Sequence, residues 1–282
     1  MKTHESEFLK AHKKVRKGKK KLSDKEFIKF RKKKPNDLNS LGKFFYEKEN
    51  SLAELKKISE DYSAQTYVLD KYICVILPKG SDSYRPILVP SPRDRILFSF
   101  ILEKIKDPIL TEINKFNIFG SGKRADFPNI KKILSSVYLE SQKHKFILKI
   151  DISKFFSSIK KEDLLKTLEN YIVDKYLISL IEKSFNNEFD IKYTKNFSIE
   201  KKTEIEDALK KGVPQGCAYS PLLANFYGLP LDKFVSEQGY KSFRYLDDMI
   251  IFTESKESAE KIFQGLKEVG EKLNLKIHNI DS

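Results

Sequence analysis

The chain has 282 residues and a net charge of +14, with 40% of its residues apolar and 33% charged. This length and composition predict a folded protein with a hydrophobic core and exclude an intrinsically disordered one. The apolar runs are short and are interrupted by Lys or Asp, which argues against a membrane-spanning helix, and residues 1–21 lack the apolar stretch of a secretory signal. Cys74 and Cys217 lie far apart without a metal-like spacing, so a reducing cytoplasm is the expected compartment.

The excess of Lys and Arg predicts a polyanionic partner, because the release of counterions from phosphate favours binding. Nucleic acid is favoured over an acidic membrane surface, since the sequence has no evident amphipathic anchor. Residues 1–34 are especially basic, and Ser23 can cap a helix in which Glu26 takes the capping-box position. Two interpretations of residues 1–34 stay open: a basic arm on a nucleic-acid backbone, or a solvated tail that is only locally helical.

Apolar spacing and turn residues predict the elements that follow in chain order. The first part should contain a helix at 51–62, a hairpin of strands 72–78 and 84–90, a helix that starts at Arg93 and ends near Pro108, a helix at 128–141 and a buried strand at 146–151. The second part should contain helical residues 161–185, a polar irregular insertion at 186–207, a helix at 220–234, two strands around an acidic turn within 240–252, a helix at 257–273 and a strand that starts at 275.

Three carboxylates stand out against apolar surroundings. Asp247 and Asp248 lie between two apolar runs, and Asp151 ends an apolar strand of its own. Two acids at a tight turn between buried strands are costly unless a cation neutralises them, although Asp is also a common turn residue. If the strands are neighbours, the acids form an all-oxygen cluster that suits Mg²⁺. Two such ions can activate a 3′-hydroxyl and stabilise a leaving pyrophosphate.

Four motifs in a fixed order carry a resemblance to a known family. They are Tyr84-Arg-Pro-Ile-Leu-Val-Pro90 with Arg93-Asp-Arg95, then Leu148-Lys-Ile-Asp-Ile-Ser-Lys-Phe-Phe156, then Gly212-Val-Pro-Gln-Gly216 with Ser220-Pro-Leu-Leu-Ala-Asn225, and last Phe243-Arg-Tyr-Leu-Asp-Asp-Met-Ile-Ile251. The sequence resembles bacterial reverse transcriptases over about residues 75–280, and the last motif is similar to their Tyr-x-Asp-Asp signature. The resemblance implies an RNA-directed DNA polymerase that uses two Mg²⁺ ions, with Mn²⁺ as a substitute.

The resemblance also implies roles for the residues of the chemical step. Asp151 and Asp247 would be the main metal ligands, with Asp248 close by and the backbone carbonyl of Ile152 assisting one ion. Phe156 falls at the position where a bulky ring excludes a ribose 2′-hydroxyl, while the alternative for this residue is core packing.

Further residues would hold the nucleotide and the nucleic acid. Gln215 would contact the nucleotide sugar or the fingers, and Gly216 would let the backbone approach the nucleotide. Lys79 and Arg85 would grip the triphosphate, Arg85 through its planar fork. The residues expected near primer and template are Tyr245, Arg93, Arg95 and Ser220, of which Arg93 and Arg95 have a structural alternative.

The implied fold is an α+β right-hand polymerase with fingers and a palm, whose antiparallel sheet is backed by helices. The predicted division is a basic arm at 1–34, fingers at 35–125 and 159–211, and a palm at 126–158 and 212–282. No thumb is visible before Ser282, so the expectation is a truncated chain or a thumb supplied by another segment or a second chain. The implied partners are an RNA template, a DNA or RNA primer and deoxynucleotides, without a membrane.

Several functions stay open at this point. The insertion at 186–207, the loop that follows it and the Leu of Tyr-Leu-Asp-Asp favour the defence-associated group and hence a role against phage. Retron enzymes, group II intron-type reverse transcriptases and template-independent or protein-primed DNA polymerases are the alternatives. A polymerase that prefers ribonucleotides is disfavoured by Phe156, and a non-catalytic nucleic-acid-binding module is disfavoured by the three retained acids.

Overall fold

The computed structural model describes residues 4, 6–11, 48–78, 84–121, 130–192 and 197–279. The chain divides into two compact units. The first comprises Met1–Lys104, Asn186–Lys195 and Gly216–Ala218, and the second comprises Ile105–Phe185, Asn196–Gln215 and Tyr219–Ser282. These boundaries differ from those predicted for fingers and palm, and the assignment of those two subdomains remains a prediction. None of the helices in the described ranges is long and apolar enough to cross a membrane.

Helices and strands are mixed along the chain, as the sequence predicts for an α+β fold. Within the described ranges the strands are β1 (Tyr72–Pro78), β2 (Tyr84–Val89), β3 (Ile118–Phe119), β4 (Phe146–Ser153), β5 (Phe189–Lys192), β6 (Lys241–Tyr245), β7 (Asp248–Thr253) and β8 (Lys276–Asn279). The helices are α1 (Lys48–Ser63), α2 (Pro92–Ile113), α3 (Ile130–Ser141), α4 (Phe155–Ser158), α5 (Lys161–Leu168), α6 (Lys175–Phe185), α7 (Ile199–Lys210), α8 (Ser220–Tyr227), α9 (Leu229–Glu237) and α10 (Lys256–Lys272). Residues 6–11 are also helical.

The first unit contains a three-stranded sheet in the order β2-β1-β5. β1 pairs with β2 antiparallel, which confirms the hairpin, and with β5 parallel. Alternate residues of β1 are buried, namely Tyr72, Cys74 and Ile76, as expected for a strand with one face on the core. The N-terminal half of α2 supplies further buried apolar side chains, including Phe98 and Phe100.

The N-terminal residues pack into the first unit, although the sequence suggests a solvated or nucleic-acid-binding arm. Phe8 is fully buried and stacks on Phe100 with ring centroids 4.3 Å apart. Glu7 forms an ion pair with Lys104 at 2.6 Å. Residues 6–11 therefore contribute to the core, because the ring of Phe8 packs on an aromatic side chain. The basic composition of this segment does not reveal that contact. Residues 12–34 lie outside the described ranges.

The second unit contains a five-stranded sheet in the order β3-β6-β7-β4-β8. Its pairs are antiparallel except β3 with β6, a parallel pair of two residues at one edge. α9 packs against β6 and α10, and α10 packs against β4, β7 and β8. The predicted antiparallel sheet backed by helices is therefore confirmed.

α10 shows why these residues form that backing helix. Ser255 caps its start, because the hydroxyl accepts a hydrogen bond from the Ser258 N–H at 3.2 Å. Ile262, Leu266 and Gly270 are buried and follow at helical spacing. Gly265 faces α9, where an added Cβ would lie 2.3 Å from the ring of Phe234.

Two predicted element boundaries are wrong because tertiary contacts override local signals. α2 continues through Pro108 to Ile113. A proline inside a helix costs about 3 kcal/mol, but Ile109 and Ile113 beyond it are fully buried. The helical region 161–185 is two helices, and the second begins where the Asp174 carboxylate accepts a hydrogen bond from the Leu177 N–H at 3.1 Å.

Two further predictions need correction. The supposedly irregular insertion at 186–207 contains β5, which pairs with β1, and most of α7. Ser198 caps α7 through the Lys201 N–H, and its Ile205 is buried, so a polar composition concealed an ordinary amphipathic helix. The predicted helix 220–234 is divided into α8 and α9 at Gly228, where an added Cβ would lie 3.1 Å from the Arg244 guanidinium.

Candidate active site

Strand alternation brings acidic side chains to one face of the five-stranded sheet. On β4, Leu148, Ile150 and Ile152 are buried, so Asp151 points to the opposite face. On β7, Met249 and Ile251 are buried, and Asp248 at the start of the strand is exposed. The apolar neighbours therefore fix both strands in the core, while the two carboxylates lie on the accessible face.

The strand register places these two acids opposite each other. Asp151 pairs with Asp248 in the antiparallel ladder of β4 and β7. Residues opposite each other in such a ladder have Cβ atoms about 4.5–5.5 Å apart, and like charges in these positions are destabilising. The neighbouring pairs extend this row across the sheet, since Tyr245 pairs with Asp248 and His278 pairs with Asp151.

Asp247 lies in the two-residue loop that joins β6 to β7. Leu246 precedes it with φ 57°, a positive angle of the kind that tight hairpin loops require. The Asp247 carbonyl accepts a hydrogen bond from the Ile152 N–H at 3.0 Å, which ties the loop to the residue after Asp151. The predicted acidic turn is thus Leu246-Asp247, and Asp248 already belongs to β7.

The three acids offer only oxygen donors, which fits Mg²⁺ rather than a softer ion. Among the described residues, neither Asp151 nor Asp247 has an ion pair or side-chain hydrogen bond within the protein. No three His, Cys, Asp or Glu side chains in those ranges form a cage that holds a metal by themselves. Mg²⁺ usually binds through one or two carboxylates together with substrate phosphates, so this donor set fits the ion.

Phe156 is held in a defined place next to the chain segment 212–215. Lys154 has φ 51° and turns the chain from β4 into α4, which buries Phe155 and leaves Phe156 partly exposed. The Phe156 carbonyl accepts a hydrogen bond from the Val213 N–H at 2.8 Å. Gly212 has φ 64°, and a Cβ there would lie 2.0 Å from the same carbonyl oxygen. Position 212 therefore requires a glycine, because the backbone of Phe156 lies too close to leave room for a side chain.

The glycine expected to let a nucleotide approach also has a close contact within the protein. Gly216 has φ 135°, and a Cβ there would lie 1.8 Å from the carbonyl oxygen of Leu88 on β2. Gln215 before it is partly exposed and forms no side-chain hydrogen bond with a described residue.

Ser220 differs from its expected place near the nucleic acid. Its side chain is fully buried at the start of α8, and its hydroxyl finds no hydrogen-bond partner in the part of the chain that the structure describes. Burial prevents direct contact between this side chain and a primer or template in this conformation. Tyr245, by contrast, is 43% exposed beside the acids.

The basic residues proposed for the triphosphate and the template lie in the first unit. Arg85 is exposed on β2, and no ion pair or hydrogen bond to a described residue holds its side chain. Lys79 lies outside the described residues, so its predicted role has no structural counterpart here.

Arg93 and Arg95 differ in their surroundings. Arg93 donates a hydrogen bond to Asp61 at 2.8 Å and lies over the ring of Tyr67 at 4.9 Å. Burial acts to lower the pKa of Arg93, but Tyr67 and Asp61 more than offset it. Arg95 is partly buried without an ion pair among the described residues, and burial lowers its pKa. Arg93 is therefore held by contacts within the protein, while the charge of Arg95 is left uncompensated within those ranges.

Two residues of this region were missed by sequence reasoning. His278 is exposed opposite Asp151, and only the β4–β8 register reveals it. Arg244 is fully buried in β6, where it forms an ion pair with Asp232 at 2.6 Å. A lone Arg in an apolar run is a sequence signal for a buried ion pair, but its partner cannot be read from spacing.

Solved structures with a similar chain show low overall similarity. A partial Cas6-RT-Cas1–Cas2 complex matches with a TM-score of 0.42 and 20% identity, covering 89% of this chain and 40% of that one. Apo telomerase from Candida tropicalis, truncated from its C-terminal domain, matches with a TM-score of 0.45 and 13% identity, covering 82% of this chain and 55% of that one.

Curated relatives match about two thirds of the chain. The COX1/OXI3 intron 2 protein of Saccharomyces cerevisiae is 26% identical over 193 residues, which are 67% of this chain and 20% of that protein. A 91 kDa protein in the cob intron of Schizosaccharomyces pombe is 27% identical over 198 residues, which are 68% of this chain and 22% of that protein. The chain thus spans about a fifth of the length of these two relatives.

A family profile described as reverse transcriptase (RNA-dependent DNA polymerase) matches residues 77–279. That range covers well over half of the 282 residues and includes the whole five-stranded sheet, from β3 to β8. All four sequence motifs with their acids fall within it. The chain therefore belongs to the reverse transcriptase (RNA-dependent DNA polymerase) family.

Proposed function

We propose that this chain copies an RNA template into DNA by two-metal nucleotidyl transfer at Asp151 and Asp247, with Asp248 close by. Family membership supports the reaction, and enzymes of this family generally use divalent metal ions. The single observation that carries the site is the register of Asp151 opposite Asp248, because like charges in these positions are destabilising and a bound cation offsets their repulsion.

The chain's own residues perform two tasks in this reaction. The carboxylates of Asp151 and Asp247, assisted by the Ile152 carbonyl, bind and orient the metal together with the triphosphate. When bound, two Mg²⁺ ions lower the pKa of the primer 3′-hydroxyl and neutralise charge on the departing pyrophosphate. The hydrogen bond from Ile152 to Asp247 keeps the two strands in register, so the metal ligands do not need to reorganise on binding.

Phe156 is proposed to select deoxynucleotides. Its backbone is fixed by Val213, and its ring packs edge-on to Phe155 with centroids 5.9 Å apart, so the ring cannot move away freely. A ring fixed in this way excludes a ribose 2′-hydroxyl by its volume. Replacing Phe156 with Ala should raise ribonucleotide incorporation while deoxynucleotide incorporation persists, and unchanged sugar selectivity would assign Phe156 to packing alone.

Substrate and template contacts are proposed for Arg85, Gln215 and Tyr245, whose side chains have no hydrogen bond or ion pair with a described residue. Arg85 would bind the triphosphate through its fork, Gln215 with Gly216 would line the nucleotide sugar, and Tyr245 would lie near the primer end. Lys79, which lies outside the described residues, keeps its proposed role in gripping the triphosphate. Arg95 is favoured over Arg93 for the template phosphate, because a partly buried cation without an acid among the described residues gains most from an incoming anion.

The two arginines can be distinguished experimentally. Arg95→Gln should weaken template binding and reduce its salt dependence, since one phosphate contact is lost. Arg93→Gln should instead lower stability and leave the salt dependence of binding unchanged. Equal salt slopes for Arg95→Gln and the wild type would contradict the template role.

The decisive experiment is primer extension on an RNA template with deoxynucleotides and Mg²⁺. The wild type should extend the primer, and Asp247→Asn should not. Asp163→Asn is the matched control, because it removes a carboxylate from the exposed face of α5 and should retain full activity. Extension by Asp247→Asn would refute the site. If neither protein extends the primer, labelled nucleotide attached to the protein itself would be measured, because protein priming produces that product.

The biological setting is proposed as phage defence, on the basis of the Tyr-Leu-Asp-Asp motif and the 186–207 insertion. The intron proteins among the curated relatives favour a second setting, a group II intron-type reverse transcriptase. Plaque counts on bacteria that express the wild type or Asp247→Asn distinguish the two. Fewer plaques with the wild type alone would support defence, and equal counts together with extension on structured intron RNA would support the second setting.

A further inference from the structure

Arg244 is an arginine in the interior of the second unit whose side chain has no exposed surface. A guanidinium has five N–H donors, and all five have partners here. Nε and Nη2 contact the Asp232 carboxylate at 2.6–3.0 Å, and Nη2 also reaches the Asn225 carbonyl at 3.0 Å. Nη1 donates to the Asn225 side-chain oxygen at 2.9 Å and to the Leu246 carbonyl at 3.1 Å.

The pair of Arg244 and Asp232 is an unusual choice for stability alone. Asp232 is only 1% exposed, so both charges have lost their water. Replacing a buried ion pair by apolar residues of similar volume is often neutral or stabilising. Stability alone therefore does not account for the pair. Beyond Asp232 and Asn225, the guanidinium has one further hydrogen bond to a described residue, and its acceptor is the Leu246 carbonyl in the loop that carries Asp247.

With that contact, hydrogen bonds hold the backbone on both sides of Asp247. The Leu246 carbonyl belongs to the peptide before Asp247 and accepts from Arg244. The Asp247 carbonyl belongs to the next peptide and accepts from the Ile152 N–H at 3.0 Å. Both peptide groups that flank Asp247 are thus held, one from β6 and one from β4.

The surroundings leave the guanidinium no alternative position. An added Cβ on Gly228 would lie 3.1 Å from Nη1, so the backbone closes one side. The Asn225 amide donates to the Phe119 carbonyl at 2.8 Å and to Ser121 at 3.0 Å, which fixes the oxygen that Arg244 contacts. Through these hydrogen bonds, the positions of α8 and β3 determine where Arg244 lies and therefore where it holds the hairpin loop.

We propose that Arg244, neutralised by Asp232 and oriented by Asn225, is a positioning residue that holds the Leu246-Asp247 loop so that the Asp247 carboxylate meets its metal. The proposal rests on the role proposed for Asp247. Because the contact acts on the loop and not on the nucleotide, its loss should lower kcat and leave the KM for deoxynucleotide nearly unchanged.

The test is the double variant Arg244→Met with Asp232→Leu, which removes both charges and preserves volume. Both roles predict a lowered urea midpoint, because the Asn225 and Leu246 oxygens lose their donor. A purely structural role predicts that the variant, while folded, keeps the wild-type kcat. The positioning role predicts, in the same folded variant, a kcat lowered about 100-fold and a KM within about twofold, since a displacement of about 1 Å costs that much. Thr253→Val is the matched control, because it removes a buried hydrogen bond at the far end of β7 and should leave kcat unchanged.

Arg244→Lys keeps the proposal testable if the double variant does not fold. A lysine can pair with Asp232 but cannot reach Asn225 and Leu246 at once, so this variant should fold and still show the lowered kcat. A kcat within threefold of the wild type in either folded variant would overturn the proposal. Activity in Asp247→Asn would instead overturn the proposed function, so the two failures are distinguishable.

Discussion

The substitution Asp94→Asn should change how the stability of the protein depends on pH. Asp94 has no exposed surface, and its carboxylate accepts hydrogen bonds from the Tyr67 hydroxyl and the Asp70 N–H, both at 3.1 Å. Burial, together with the charge of Asp70, raises the pKa of Asp94 to about 7. Asparagine resembles the protonated acid, since its oxygen can accept from Asp70 while its NH₂ donates to Tyr67.

The magnitude follows from proton linkage. The pKa rises from 3.8 to about 7, which is about three units, and each unit corresponds to about 1.4 kcal/mol. Between these values the folded state of Asp94 holds a proton that the unfolded state has lost, so stability falls as pH rises and levels off above the folded pKa. Relative to Asp94→Asn, the wild type should therefore lose about 4 kcal/mol between pH 4 and pH 8.

Urea unfolding at pH 4, 5, 6, 7 and 8, followed by far-UV circular dichroism and tyrosine fluorescence, measures this difference in a chain without Trp. The exposed carboxylate of Glu169 serves as the control, since Glu169→Gln should give a curve parallel to the wild type. Parallel curves for Asp94→Asn would refute the reasoning. If the wild type instead gained stability relative to the variant as pH rises, the hydrogen bonds to Asp94 would stabilise its ionised form more than burial destabilises that form.

Three further substitutions test close contacts. Gly212→Ala should destabilise the protein beyond the 1–2 kcal/mol of backbone strain and reduce primer extension, because the new Cβ would meet the Phe156 carbonyl; a urea midpoint equal to that of the wild type would contradict this. Ser220→Ala should leave the free energy of unfolding unchanged or raise it by about 1 kcal/mol, since the buried hydroxyl lacks a described partner, and a clear loss in urea unfolding would reveal one. Gly265→Ala should cost about 1–3 kcal/mol by overpacking against Phe234, and a double-mutant cycle with Phe234→Leu should recover most of it.

The elements around the acids could be predicted because their signals are local. Apolar runs predict β4 and β7, and a carboxylate near one end of each strand follows directly from the sequence. The register of Asp151 opposite Asp248 could not be predicted in this way. It depends on how far two strands slide past each other, and almost a hundred residues of sequence separate them.

The remaining differences share a cause in long-range contacts. β5 has four residues and pairs with β1, which lies far away in the sequence, so nothing in its own polar surroundings predicts a strand. Gly216 was expected to let the backbone approach a nucleotide, and the structure adds that Gly212 and Gly216 lie against the carbonyls of Phe156 and Leu88. Sequence predicts that a position needs glycine, while only the fold tells which neighbour excludes the Cβ.

The backbone around the acids carries strain that the rest of the sheet does not explain. Lys154, three residues after Asp151, has φ 51°, and Leu246, just before Asp247, has φ 57°. Each positive angle costs a residue with a side chain about 1–2 kcal/mol, and glycine would avoid that cost. At Leu246 the conformation is maintained by Arg244 and by close packing over Gly120, where an added Cβ would lie 2.9 Å from the leucine side chain. Several contacts therefore maintain a strained backbone next to two like charges. Such a combination is expected where function, rather than stability, determines the geometry.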